Sequence, residues 1–174
     1  MLKKDTIFIT RTGLLLALAL VFQLGFRLFA QPVVGPMVNF VLIFSAIYVG
    51  TLSGVIIGAL TPLIAFMVGI MPLFPVVPFV MIGNALLVIV FNYIRQKIRL
   101  NTNYVAVVVG ALVKYGFLAI SARYMVGLFI PVVPPPLVAS LSLPQLYTAL
   151  VGGGLAVVVA EVVGKALVKE PVQN

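Results

Sequence analysis

Residues 76–130 read VVPFVMIGNALLVIVFNYIRQKIRLNTNYVAVVVGALVKYGFLAISARYMVGLFI. Two apolar runs flank one polar hinge, in which Arg95, Lys97 and Arg99 precede Asn101, Thr102 and Asn103. Each run is long enough for a membrane helix, which needs about 20 apolar residues. The hinge carries cations and no acid, as a cytoplasmic loop of a membrane protein does. The stretch therefore reads as one helix arriving at the cytoplasmic face and another leaving it.

The rest of the chain agrees. Of 174 residues, 63% are hydrophobic and only 8% charged, and the mean hydropathy is +1.29. A soluble domain carries roughly 25% charged residues. So much apolar surface does not fit inside one small core, and its solvent is lipid. The first span is expected at about 12–30, the second at 37–49, the third at 55–71 with a kink at Pro62, the fourth at 76–94, the fifth at 104–130 and the sixth at 143–168. The second is short for a full crossing. The fold class is thus an all-α membrane protein, a bundle of six transmembrane helices forming a single domain over residues 1–174. Lys3, Lys4 and Arg11, the 95–99 cluster, and Lys165 with Lys169 all fall on one side of such a bundle, which makes both termini cytoplasmic. The opening run reads as the first membrane helix rather than a cleaved leader, because no small-residue cleavage site follows it.

The outer side then holds three loops, Gln31–Pro36, Pro72–Pro78 and Pro131–Pro144. All are rich in proline and apolar residues, which suits rigid covers over a cavity or segments lying in the membrane interface.

Composition excludes several function classes. The chain has no Cys and no His, and its only acids are Asp5, Glu161 and Glu170. A zinc or iron centre is not expected, and neither is triad or ordinary acid–base catalysis. The chain reads as no enzyme, with no cofactor. The net charge of +8 does not imply nucleic acid, since the cations flank apolar spans instead of forming a stripe.

The cations inside the spans carry the functional reading. Lys114 lies about ten residues from the basic hinge, about 15 Å along a helix, too deep to snorkel. A charge at that depth costs about 2.5–3.5 kcal/mol or more unless it is paired, hydrated or used. Two readings stand: a ligand or cavity group, or a lysine held by carbonyls. Tyr115 shares its depth. Arg123 lies nine residues on, about half a turn out of phase with Lys114. Arg123 and Arg27 each serve either a ligand or lipid headgroups. Asn84, mid-span, either binds a ligand or joins two helices, and Asn39 sits at the mouth of the second span. Glu161 and Lys165, four residues apart, read as a local ion pair. Gly13 and Ala17 form a small-xxx-small pair that lets another helix approach closely.

The basic start followed by Arg11-Thr-Gly-Leu-Leu-Leu-Ala17-Leu-Ala19-Leu, the stretch Pro78-Phe-Val-Met-Ile-Gly-Asn84 and the six-span topology resemble the S components of energy-coupling factor transporters, the vitamin importers of prokaryotes. The resemblance covers nearly the whole chain. It implies a plasma-membrane protein that holds one vitamin-like molecule in its outer half and topples beside a scaffold membrane subunit driven by two cytosolic ATPases. In the family an Ala-xxx-Ala motif of the first helix docks on the scaffold. Gly13 and Ala17 occupy that spacing here, with Gly in place of the first Ala. The chain lacks the Gly-x-x-x-x-Gly-Lys phosphate loop, so ATP hydrolysis falls to partners. With no acid in the outer half, an anionic or neutral substrate is expected. A pantothenate-like acid leads; nicotinate, biotin and pyridoxine-like or hydroxymethylpyrimidine compounds stay open. The alternative is a self-sufficient secondary transporter or channel.

Overall fold

The computed structural model describes residues 2–26, 31–97, 102–129 and 133–169. All regular structure among them is helical. Helices α1 (Leu2–Gly25), α2 (Gln31–Tyr48), α3 (Thr51–Met67), α4 (Val77–Lys97), α5 (Thr102–Ile120) and α7 (Leu143–Lys169) are long, and α6 (Pro135–Ser140) is short. Four stretches are long and apolar enough to span a bilayer, within Lys3–Gly25, Phe74–Lys97, Asn103–Leu128 and Pro135–Lys165; α2 and α3 supply two shorter apolar helices. Six long helices match the expected number.

Several boundaries differ from the sequence reading. Helix α1 starts near the first residue, because the basic segment continues the helix beyond the apolar run. The expected loop Gln31–Pro36 is the first turn and a half of α2. Pro32 stands where no backbone donor is needed. In lipid no other partner replaces helical hydrogen bonds, so a helix persists through Gly35 and Pro36. The turn expected over residues 50–54 shrinks to Val49 and Gly50, the latter at φ 127°, a region in which side chains are strained. Helix α5 ends at Ile120 and continues through a widened π turn, Ser121–Met125, and a 3₁₀ turn, Val126–Leu128. The last outer loop folds in part as α6, with Pro135 and Pro136 opening it. Glu161 and Lys165 are both exposed, and the ion pair expected between them is not made.

Pairwise contacts fix the directions. Thr12 meets Ser53 and Gln23 meets Thr61, so α1 and α3 run parallel. Gly54 faces Val88 and Gly58 faces Asn84, so α3 and α4 run antiparallel. Gly83 faces Leu118 and Gly110 faces Leu87, which sets α5 against α4. Gly35 faces Thr148 while Tyr48 bonds Ala160, so α2 and α7 run parallel. The long helices therefore alternate in direction, and the start of α1 and the end of α7 share one end of the bundle. Asn92 donates to Thr51 near that end and ties α4 to α3.

The outer surface is apolar where a soluble protein's is polar. Large apolar groups such as Leu14, at 72% exposure, face outward, while Ser45, Ser53 and Thr148 are fully buried. This is the arrangement lipid favours, with polar groups turned in to find partners. The main core lies toward the terminal end and includes Leu42, Ile43, Ile57, Leu87 and Phe91, none with measurable exposure. A smaller apolar cluster, Val76, Leu118, Ala122, Val126 and Leu141, lies under the loops at the opposite end. Between them is a polar layer.

Candidate functional site

That layer is built by asparagines. Asn39 on α2 and Asn84 on α4 are 3% and 4% exposed, and Lys114 on α5 is 2% exposed. An amide buried in hydrocarbon has to bond on both its donor and its acceptor side. Asn84 donates from Nδ2 to the Gly58 carbonyl of α3 at 2.9 Å. Asn39 donates to the Gly35 carbonyl at 2.9 Å and, more weakly, to Thr148 Oγ1 of α7 at 3.4 Å. With both NH₂ groups committed to the backbone, both amide oxygens are left to accept. They converge on Lys114, whose Nζ donates to Asn39 Oδ1 at 2.8 Å and to Asn84 Oδ1 at 2.7 Å. Five long helices meet in this one network.

The lysine thus has partners, but they are neutral. An ammonium has three donors; two are used by the asparagines. The residue also lines a cavity of about 230 Å³, whose wall includes Lys114, Asn39, Asn84 and Gln23. The cavity lies toward the loop end, roofed by Met71 and Pro72 after α3 and by Ser140 and Leu141 from α6. No acid lines it. The α6 cover is tied down by Gln145, which donates to the Ser140 carbonyl at 3.3 Å.

The structure therefore brings Lys114, Asn84 and Asn39 together and leaves the other candidates apart. Tyr115 is half-buried and does not line the cavity. Arg123 is exposed, donates to the Ala119 carbonyl at 3.4 Å and does not line the cavity. Arg27 lies outside the described residues. Gly13 and Ala17 lie on the exposed face of α1, remote from the cavity. Gln23, at the other end of α1, lines the cavity and escaped the sequence reading. The signal available was a lone amide at the end of an apolar run, which looks the same whether it faces neighbours or headgroups.

A helical bundle that is apolar outside and gathers polar groups around a cavity near one end has the build of a solute-binding membrane protein. A family model described as "ECF transporter, substrate-specific component" matches residues 8–164, and the chain belongs to this family. It is a substrate-binding membrane subunit of a transporter and not an enzyme. No curated protein and no solved structure gives a significant match.

Proposed function

We propose that the chain captures a compact, anionic or neutral vitamin-like molecule at the outer face of a prokaryotic plasma membrane, for import driven by a scaffold subunit and two cytosolic ATPases. The observation that carries this reading is the buried Lys114 ammonium at the wall of an acid-free cavity. A carboxylate there would form a charge-assisted bond away from water, where such bonds are strongest. A cation would find amide oxygens but no counter-charge. The basic residues at the terminal end support cytoplasmic termini, which leaves the cavity opening outward.

Size narrows the substrate. A cavity of about 150 Å³ accommodates benzene, so 230 Å³ suits a single ring or a short chain better than a fused two-ring molecule. A pantothenate-like acid fits both charge and size. The apolar core beneath the cavity argues against a channel: fully buried Leu42, Ile57, Leu87 and Phe91 separate the chamber from the terminal end.

The test is reconstitution. Purified protein in detergent should bind its ligand without ATP. Liposomes should accumulate the ligand only when scaffold, ATPases and ATP are supplied. Flux through the protein alone would favour the secondary-transporter reading instead.

Replacing Gly13 or Ala17 with leucine should leave ligand affinity within about twofold and abolish uptake. Both residues are exposed, and a Cβ at Gly13 meets nothing within 4 Å, so the fold tolerates the change. A bulky group there blocks only close approach of a partner helix. Loss of binding in these variants would assign them to holding the fold instead.

A further inference from the structure

Gln23 is 6% exposed and lines the cavity, yet its Oε1 has no hydrogen-bond partner. The orientation of the amide is set by the other side, because Nε2 donates to the Thr61 carbonyl at 3.1 Å. Turning the amide over would bring two oxygens together. The Thr61 hydroxyl does not serve Oε1 either, since it donates to the Ile57 carbonyl at 3.0 Å. A buried acceptor left unpaired costs about 1–3 kcal/mol, and native interiors keep few of them without a reason.

The position of Oε1 relative to Lys114 follows from α3. Asn84, which holds Lys114, hangs on the Gly58 carbonyl, and Gln23 hangs on the Thr61 carbonyl. Three residues of helix separate these anchors by about 4.5 Å, with Thr61 on the loop side. Lys114 and Gln23 line the same cavity, and the backbone anchor of Gln23 lies about one turn nearer the loops than that of Asn84.

Resting on the capture reading above, we propose that Gln23 Oε1 accepts a hydrogen bond from the bound molecule, so that the substrate is a compact acid carrying a hydroxyl or N–H about one helical turn from its anionic group. Gln23 is then a specificity-determining residue. A pocket built to bond a donor strongly rejects an analogue that lacks it, because its own buried group stays unpaired. Of the candidate acids, pantothenate carries hydroxyl and amide donors; nicotinate carries no donor apart from its acid group.

The test uses the full chain, extracted from producing cells in mild detergent, with mass spectrometry of the small molecules released on denaturation. Wild type should release one compact anion bearing a hydroxyl or N–H. Gln23→Met, matched for length but with no oxygen, should retain about tenfold less. O- or N-methylation of the released molecule should weaken its thermal shift on wild type by a similar factor, a readout that does not depend on the variant folding. A released molecule without such a donor, equal retention by Gln23→Met, or a nicotinate shift as large as that of the released molecule would each overturn the role of Gln23 while leaving capture intact. A wild-type protein that releases nothing and shifts with no acid would overturn the capture reading itself, and this inference with it.

Discussion

Lys114→Met is expected to weaken ligand binding by roughly 10- to 150-fold, the equivalent of one charge-assisted hydrogen bond of about 1.5–3 kcal/mol. The methionine keeps an apolar stem reaching the position of lysine Cε and removes the ammonium. Two consequences then oppose each other in the unliganded protein. Asn39 Oδ1 and Asn84 Oδ1 lose the donor they share, which destabilises the polar layer. The cost of holding an ammonium away from water disappears as well. Stability therefore changes less than affinity, and the two are separable by a melting curve beside a titration. Titrating pantothenate and the molecule released from wild type checks the expectation. Unchanged affinity for the native ligand would remove Lys114 from the site and leave it as a fastening between α2, α4 and α5. Lys114→Arg should not restore binding, because a planar fork does not reproduce the geometry of a compact ammonium between two amide oxygens.

The legibility of this site follows from the cost of its residues. Lys114 and Asn84 stood out in sequence because a cation or an amide amid long apolar runs is too costly to be incidental. Their depth was legible from residue counts along one helix. What no count along one helix records is which helices face each other. Gln23 became a cavity residue only because α1 runs parallel to α3 and sets it against Thr61. Tyr115 does not line the cavity for a different reason: one residue along α5 turns a side chain about 100° from Lys114. Arg123 sits in the π turn Ser121–Met125, where the regular pitch used to place it half a turn from Lys114 no longer applies. Helix number was legible from apolar length, and helix ends were not. Gly35 and Pro36 suggest a loop by the habits of water-soluble chains, but a bilayer offers the backbone no alternative partner, and α2 continues through them. The Glu161–Lys165 spacing was suitable for a pair, yet both side chains are exposed, where ion pairing contributes little.

Gly152→Ala is expected to destabilise the protein by about 3 kcal/mol or more, a fall in melting temperature of about 6–12 °C. A Cβ at this position would collide with the Pro36 carbonyl oxygen and lie 2.8 Å from the Phe40 nitrogen and 2.9 Å from Asn39 Cβ. Two of these are backbone atoms, so no side-chain rotation makes room; α2 itself has to move off α7. The same displacement carries Asn39 away from Lys114, so ligand affinity should fall together with stability. Gly154 is the internal control. A Cβ there meets nothing within 4 Å, and alanine is favoured over glycine inside a helix by about 1 kcal/mol, so Gly154→Ala should melt at or slightly above wild type. The pair isolates contact from helix propensity, because both changes add one methyl group to the same helix two residues apart. If Gly152→Ala melted with Gly154→Ala, the close seam between α2 and α7 would not exist as described. If it lowered stability but left affinity intact, Asn39 would be dispensable for binding, and the ammonium would rest on Asn84 alone.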